Sequence, residues 1–499
     1  MQHFLFKVGK RRYSSPRAHS LRKWIKNQLV LDKLETPSGY LFMGVIALAL
    51  SYWVVSTDTR NAWLILLNMI LLPAMLGAML NARFGIYVLT IGAFAVASFE
   101  RFVPSLPLDS YLDATILLML FGILVKQTRE RDWRFLRNGL SAMIVIFLIY
   151  QALQLWNPLA PNGMAWIQAS RESGLVLLLF FAALFTWRKA DDIRFFTFLW
   201  IALVGICSIY GFVQAVGDLP QYELDWLLEH RERFQDFYTW GGPRVFSIFF
   251  DPSTFGILLA ATILLSIGAL ADTRLKNWHK GLIAVAILVM LVAMILSHTR
   301  TAFVILPAGF IFFAILSMDK RLMIGAGAMT VLLVAFIIIP IQNPSLRSFQ
   351  KAFHPEESIT YQIQMENLSY LQSYIQKHAM GSGLGTTGEI GEKYAPHSRF
   401  SAFLTRSGYI QTAVETGWVG LALYLLMILS ALLIGVRTYF RLPAGNAKTY
   451  SRAFLTVLLV LILAHYPHQI LTQWPTNILF VLSMAVVVRG QKIGGRIST

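Results

Sequence analysis

The chain has 499 residues, of which 56% are hydrophobic and 14% are charged, and it carries a formal net charge of +17. This basic balance does not indicate nucleic-acid binding, because a membrane protein gathers its cations in the connections on the cytoplasmic side. The single cysteine, Cys207, excludes an intramolecular disulfide and is typical of a small packing residue.

Fourteen apolar segments follow one another along the chain, and most are long enough to cross a bilayer core of about 30 Å. They predict an all-α polytopic integral membrane protein with about 14 transmembrane helices. An even number of crossings returns both termini to the same side. The predicted helices lie near residues 40–56, 61–80, 84–99, 110–125, 140–156, 174–187, 195–216, 253–271, 281–297, 302–318, 322–340, 418–436, 453–470 and 475–488.

The connections between these segments alternate between basic and charge-poor. Most Lys and Arg residues fall in every second connection and at the two termini. The positive-inside rule therefore predicts that both termini are cytoplasmic. Residues 1–39 are predicted to form a basic cytoplasmic arm against anionic headgroups, followed by one transmembrane domain over residues 40–499. The first helix, behind this long basic arm, is predicted to be a retained anchor rather than a cleaved signal peptide.

Two connections on the predicted outer side are long, at about residues 217–252 and 341–417. Loops on a rigid scaffold often carry binding and catalytic residues, so we expect the functional site there. No internal repeat with matching motifs is visible, which gives an inverted-repeat transporter no direct support.

The first external loop contains an arginine, Arg244, directly after a Gly-Gly-Pro turn. Such a turn fixes the backbone ahead of the guanidinium. The alternative interpretation is a side chain that reaches the interface or contacts a lipid phosphate. Asp251 or Ser253 is expected to cap the helix that follows.

A second arginine, Arg300, lies between two apolar segments that have almost no connecting loop, and His298 is two residues before it. A charge at this depth is unfavourable unless it faces a cavity or a partner, although it could also reach the outer interface. Two guanidinium groups at one level could hold a diphosphate through forked hydrogen bonds, which a Lys would do less specifically.

The second external loop has a glycine-rich turn, residues 381–388, followed by cationic candidates. No Gly-Lys-Ser/Thr follows the glycines, so a flexible turn is an alternative to a phosphate cradle. The scattered His residues do not have metal-ligand spacing, and no Ser-His-Asp arrangement is visible. His465 and His468 either line a cavity or form a structural pair. The remaining polar candidates of this loop and of the helix entry after it are Lys393, His397, Arg399, Arg406, Tyr409 and Glu415.

These features resemble the O-antigen ligase and Wzy-type polysaccharide polymerase superfamily over roughly residues 240–435. The resemblance rests on the polytopic layout, on a large external loop before the last few helices, and on three motifs. The motifs are Ser297-His298-Thr299-Arg300-Thr301-Ala302, the turn Gly381-Ser382-Gly383-Leu384-Gly385, and Ser407-Gly408-Tyr409-Ile410-Gln411 with Glu415-Thr416-Gly417-Trp418.

The resemblance implies a glycosyltransferase that uses a polyprenyl-diphosphate-linked glycan at the outer face of the bacterial plasma membrane, without nucleotide, metal or other cofactor. Arg300 would correspond to the arginine of the family's Ser-x-Ser-Arg element and Arg244 to one in the preceding external loop, both binding the diphosphate. Arg406 stands where the ligases have an essential His. This departure favours a polymerase and leaves His397 or Glu415 as the general base, with Arg406 holding substrate.

Further candidates and alternatives remain. Arg399, Tyr409 and His298 are additional site residues. The expected partners are the lipid-linked glycan as donor and acceptor, membrane lipids, and polysaccharide export or chain-length proteins, but no nucleic acid. The alternative functions are an O-antigen ligase acting on lipid A-core or protein and a lipid-linked oligosaccharide flippase, for which Asp113 is the main mid-helix charge. A cell-wall glycosyltransferase of the shape-and-division type is a rival that Asp251 keeps open.

Overall fold

A computed structural model describes residues 37–56, 59–102, 107–160, 162–217, 219–229, 237–239, 242–339, 371–401, 403 and 406–494. Most of the predicted basic arm and residues 340–370 of the second predicted loop lie outside this part of the chain. Contacts divide the chain into two compact units, residues 1–70 and 71–499. Each is described by itself below.

The described residues are almost entirely helical. The helices are α1 Pro37–Ser56, α2 Thr59–Leu80, α3 Ala82–Phe102, α4 Leu108–Glu130, α5 Gly139–Leu153, α6 Gly163–Ser173, α7 Leu179–Thr186, α8 Ala190–Val216, α9 Gln221–Leu228, α10 Pro252–Leu270, α11 Asn277–Leu296, α12 Arg300–Ser317, α13 Lys320–Ile338, α14 Gly388–Tyr394, α15 Gly408–Arg441, α16 Asn446–Ala464 and α17 Thr476–Gly494. Three 3₁₀ turns span Arg134–Leu136, Gln154–Trp156 and Leu175–Leu178, and residues 371–377 are also helical.

One antiparallel pair of two-residue strands, β1 Tyr238–Thr239 and β2 Gly242–Pro243, interrupts this helical pattern. These strands are too short to change the fold class, so the all-α class is confirmed for the described part of the chain. Nine of the described helices are long and apolar enough to cross a membrane, or ten if the bent pair Gly163–Ser173 and Leu175–Thr186 counts as one span. The number of 14 crossings and the two external loops stay predictions.

Two predicted boundaries differ from the structure. The helix predicted over residues 174–187 is part of a broken element that starts at Gly163 and bends by 41°. The helix predicted over residues 418–436 follows a kink at Gly417, but a further helical segment, from Gly408 to that kink, precedes it where the prediction has the second external loop. Its first turns are polar, but the Ser407 side chain accepts a hydrogen bond from the Ile410 backbone and starts the helix.

The core of the second unit forms around α10, in which almost every residue is buried. A helix that is apolar on all sides suits a position surrounded by other helices. Helix α10 packs against α8, α11, α12 and α16, and α16 in turn packs on α17 and α15. Close approach is possible at Gly256, where a Cβ would lie 2.6 Å from the Oγ atoms of Ser297 and Thr299. The Ser-His-Thr-Arg motif therefore packs directly onto the central helix.

The ends of the helices meet in two groups. At one end, Arg274 pairs with Asp191 at 2.7 Å and Arg194 with Asp272 at 3.2 Å. The Tyr450 hydroxyl donates to Asp272 at 2.7 Å. These residues belong to the connections that the sequence predicts to be cytoplasmic. Arg244 and the Ser-His-Thr-Arg motif lie at the other end of α10 and α11, as expected if the two groups face opposite sides of a membrane.

Candidate functional site

The segment that carries Arg244 is fixed along its backbone. The Arg244 backbone N–H donates to the Phe237 carbonyl at 2.8 Å, and that of Val245 donates to the Leu296 carbonyl at 3.2 Å. Phe237 directly precedes strand β1, and Leu296 is the last residue of α11. The segment is thereby attached to the turn that contains the Ser-His-Thr-Arg motif.

The Arg244 guanidinium is bound to that same turn. Its Nε donates to the Ser297 carbonyl at 3.1 Å, and Nη2 donates to the hydroxyls of Ser253 at 3.3 Å and Thr299 at 3.4 Å. The Thr299 hydroxyl donates to the Pro252 carbonyl at 2.9 Å. These contacts hold the cation in one orientation against the turn.

A buried charge network binds the backbone that follows Arg244. Arg101 pairs with Glu223 at 3.3 Å, and both side chains are almost fully buried. The Arg101 guanidinium lies 4.6 Å from the ring centroids of both Trp226 and Phe246, and it donates to the Ser247 carbonyl at 3.0 Å. Since breaking a buried pair costs about 3–5 kcal/mol, the network is a strong constraint on the backbone that follows Arg244.

Gln214 completes the same network. Its amide nitrogen donates to Glu223 at 2.8 Å and its carbonyl oxygen accepts from the Ser247 backbone at 2.7 Å. Ser247 has a φ of 52°, a left-handed conformation that non-glycine residues adopt rarely and that these hydrogen bonds maintain. The sequence reasoning missed Arg101 and Glu223, because they are 122 residues apart and no local pattern links them.

Arg300 is the first residue of α12 and its side chain is exposed. Arg406 lies close enough that the two like charges repel one another. Among the residues that the structure describes, no carboxylate pairs with Arg300. An anion between these two arginines would relieve their repulsion.

His298 lies in the turn between α11 and α12 and has a φ of 49°. Burial, and secondarily the positive charge of Arg244, lower the pKa of its imidazole below the ordinary value. The ring is therefore neutral at neutral pH and adds no charge to the arginines. Its buried Nδ1 has no hydrogen-bond partner in the described part of the chain.

The segment between α16 and α17 closes another side of this site. The His468 Nε2 atom lies 3.1 Å from the Thr301 hydroxyl, and the Gln473 side chain hydrogen-bonds to the Thr254 hydroxyl. The Asp251 carboxylate accepts from the backbone of Ser253 and Thr254 and caps α10, as expected from the sequence. Asp251 therefore has a structural role here.

We call the group of Arg244, His298, Arg300, Arg406 and His468 the arginine site.

The glycine-rich turn lies on the first part of α15 and is buried. The backbone N–H groups of Ser382 and Gly383 each donate at 2.9 Å, to the carbonyls of Val414 and Glu415. The Thr387 hydroxyl donates to the Glu415 carboxylate at 2.6 Å. The N–H groups that a phosphate cradle would need are thus partly used within the protein, and the turn acts as a clamp on α15.

Glu415 lines a cavity of about 60 Å³ beside the broken helix α6. The other polar residues of its wall include Glu172, Gln411, Thr412 and His465. Glu415 lies seven residues into α15 from Gly408, about 10 Å along the helix axis. The cavity has room for water but not for a sugar.

Glu172 was not recognised from the sequence, because it follows Arg171 in a segment read as a loop before the predicted helix at 174–187. Its signal was a charged pair directly ahead of an apolar run. Arg171 Nε pairs with Asp113 at 2.5 Å, which gives Asp113, the mid-helix charge noted from sequence, a partner inside the bundle.

The remaining predicted residues have different surroundings. Tyr409 donates its hydroxyl to the Ile462 carbonyl at 2.9 Å and packs its ring against His465, so it joins α15 to α16. His397 and Arg399 are exposed on the turn after α14, and His397 does not line the cavity beside Glu415. Within the described residues, no group of three or more His, Cys, Asp or Glu residues could hold a metal ion.

The architecture is that of a helical protein with membrane-length helices, and the arginine site lies at one end of its bundle. Residues 285–425 match the family model described as O-antigen ligase. The match confirms the resemblance to the O-antigen ligase and Wzy superfamily over these residues. The match includes Arg300, Arg406 and Glu415 but not Arg244, and it does not separate polymerases from ligases. No curated protein matches the chain.

Proposed function

We propose that this protein polymerises polyprenyl-diphosphate-linked glycan repeat units at the outer face of the bacterial plasma membrane, in exopolysaccharide or O-antigen biosynthesis. The family match supports a ligase or polymerase type of function broadly. The observation that carries the proposal further is the pair of repelling arginines, Arg300 and Arg406, together with a third arginine, Arg244, that is bound to the turn just before Arg300.

A diphosphate suits this arrangement. It would place negative charge between Arg300 and Arg406 and remove their repulsion. Forked guanidinium donors match the paired oxygens of a phosphate, whereas an ammonium group does not. The site lies at the end of the bundle that the charge pattern assigns to the outside. A lipid-linked donor would reach it there with its prenyl chain in the bilayer.

The reaction would be a displacement at a sugar carbon. The acceptor hydroxyl of one repeat unit attacks the anomeric carbon of the glycan on a second carrier, and a new glycosidic C–O bond forms. The bond from that carbon to the diphosphate breaks, and polyprenyl diphosphate leaves with the electron pair. The arginines stabilise the charge that develops on the leaving group.

The hydroxyl proton needs an acceptor, and His397 or Glu415 would take it. His397 is exposed and would have to approach the arginine site when substrate binds. Glu415 is buried and already accepts hydrogen bonds from Thr387 and Gln411. Metal and nucleotide are not required by this scheme, since the donor carries its own activated leaving group.

A ligase that transfers the finished glycan to lipid A-core is the second candidate, and the description of the matching family model favours it. Against it stands Arg406, which occupies the position where the ligase motif has a histidine. An arginine remains protonated and cannot act as a base at neutral pH.

Lipid-linked intermediates in cells that lack the protein distinguish these functions. Loss of a polymerase should leave single repeat units on the carrier, accessible to a membrane-impermeant glycosidase in spheroplasts. Full-length chains on the carrier would instead identify a ligase. Single units that become accessible only after lysis would identify a flippase.

The role of the arginine site is tested by Arg300→Lys in the same cells. Loss of forked, charged hydrogen bonds of about 1.5–3 kcal/mol should lower polymer formation by about 10- to 100-fold at an unchanged protein level. Arg437→Lys is the matched control, since Arg437 is exposed and lies on α15 far from Gly408. Full polymer in Arg300→Lys cells would reduce Arg300 to an interfacial residue.

A further inference from the structure

A second cavity lies at the opposite end of the bundle, between the first turns of α8 and α11. Its volume is about 390 Å³, far larger than the cavity beside Glu415. Its walls are formed by two groups of residues, one from each helix. They are Asp191, Arg194, Phe195 and Phe198 on one side and Leu275, His279, Leu282 and Ile283 on the other.

The deeper wall of this cleft is apolar and open to the bilayer. Phe195 and Leu282 are 55% and 61% exposed, respectively. In a membrane such a cleft is filled by a hydrocarbon chain, because no water is available at that depth. Moving the lipid's hydrocarbon chain from the bilayer into the cleft gains little free energy, because the surrounding lipid is equally apolar. Selection among lipids therefore depends on the headgroup.

The mouth of the cleft holds two arginine–carboxylate pairs, Arg194 with Asp272 and Arg274 with Asp191, and Lys276 on the adjoining connection adds positive charge. Arg194 donates through Nε to Asp272 at 3.2 Å, and its guanidinium lies 5.7 Å from the ring centroid of Phe198. These contacts hold the cation over the cleft, where its side chain is 29% exposed. The one carboxylate of the wall, Asp191, is neutralised by Arg274 at 2.7 Å.

The surroundings of the mouth are those of a membrane interface. Trp278 is 65% exposed and stacks on His279 with ring centroids 3.8 Å apart. Tryptophan is enriched at the headgroup level of a bilayer. The exposed cations Arg274 and Lys276 lie on the connection just before it, which the charge pattern assigns to the cytoplasmic side.

We propose that this cleft is a binding site for an anionic phospholipid of the cytoplasmic leaflet. One acyl chain lies along Phe195, Phe198 and Leu282, and the headgroup phosphate is held by Arg194. Basic pockets between transmembrane helices on this side of a membrane favour anionic headgroups through charge. The site is independent of the glycosyl transfer proposed above and lies at the other end of the bundle.

The test uses the full-length protein, purified in detergent and washed free of lipid, then incubated with phosphatidylglycerol or phosphatidylcholine of the same acyl chains. Native mass spectrometry counts the retained lipid. Leu282→Trp fills the cleft, and Leu288→Trp is the matched control because Leu288 lies on the same helix, is 62% exposed and does not line the cleft.

Wild type and Leu288→Trp should retain phosphatidylglycerol at least about fivefold over phosphatidylcholine, which corresponds to about 1 kcal/mol for one basic residue near the headgroup. Leu282→Trp should lose that preference. Photoreactive phosphatidylglycerol should also crosslink to wild-type peptides covering residues 191–198 or 275–283, a measurement that needs no variant. Equal retention of the two lipids by wild type, an unchanged preference in folded Leu282→Trp, or crosslinks elsewhere only would overturn the proposal.

Discussion

The substitution Gly417→Ala should disrupt the contact between the glycine-rich turn and α15. Gly417 has a φ of 71° and a ψ of −178° within α15, a backbone conformation available essentially only to glycine. A Cβ there would lie 2.1 Å from the Ala379 carbonyl oxygen and 2.5 Å from the Gly381 nitrogen. Both neighbours are backbone atoms, so the turn itself would have to move.

The magnitude follows from two contributions. The strained backbone costs about 1–3 kcal/mol. Displacement of the turn would break the hydrogen bonds from Ser382 and Gly383 to α15, at about 0.5–1.5 kcal/mol each. Together these predict a loss of about 2–6 kcal/mol. Gly388→Ala is the matched control, because Gly388 has a φ of 63° but no atom within 4 Å of the new Cβ, so only about 1–2 kcal/mol of strain remains.

The assay heats both variants in detergent and measures the folded fraction by size-exclusion chromatography with fluorescence detection. The apparent melting temperature should fall clearly more for Gly417→Ala than for Gly388→Ala, and polymer formation in cells should fall only for the former. Equal shifts in the two variants would refute the reasoning, because they would show that the turn does not press on α15 at Gly417.

Three further predictions concern orientation, the proton acceptor and pH. Cysteine introduced at the exposed Glu392 should react with an impermeant maleimide in intact spheroplasts, whereas cysteine at Arg441 should react only after lysis. The buried Cys207 should add little background labelling. The opposite labelling pattern would reverse the predicted topology. His397→Ala should lower polymerisation by about 10²–10⁴-fold, while Glu415→Gln, which keeps an oxygen acceptor for Thr387, should only weaken it; near-normal polymer from His397→Ala would leave Glu415 as the base. Because the pKa of His298 is lowered in the folded state, the unfolded state binds more protons, so thermal stability should be complete above the ordinary value of about 6.5 and decline as pH falls below it. His298→Asn, which tolerates a left-handed backbone, should flatten that decline between pH 7 and 5; parallel curves would contradict this assignment.

The helices could be predicted because hydrophobicity along a membrane span is a local property. Each predicted segment overlaps an observed helix. The helical segment between Gly408 and the kink at Gly417 was not predicted because it contains several polar residues, and its formation depends on the Ser407 cap and on the turn that packs over it. Hydropathy alone does not detect such a polar first turn.

The arginine site could be anticipated in part. Arg244 was recognisable because it follows a Gly-Gly-Pro turn, and Arg300 because it lies between two apolar segments with almost no connecting loop. Their proximity could not be predicted, because it depends on hydrogen bonds from Arg244 to Ser297 and Thr299, which are more than 50 residues away in the sequence. The supporting pair of Arg101 and Glu223 and the contact of His468 with Thr301 depend on tertiary packing, which no spacing in one sequence reveals.

Reconstitution with a purified donor tests the central claim most directly. The detergent-purified protein would be incubated with a single repeat unit on polyprenyl diphosphate, in the presence of a metal chelator. The account predicts a ladder of longer lipid-linked glycans with release of one polyprenyl diphosphate per unit added, and at least a tenfold slower ladder with Arg300→Lys but not with Arg437→Lys. Transfer of the unit to an added lipid A-core acceptor without any ladder would contradict the polymerase assignment.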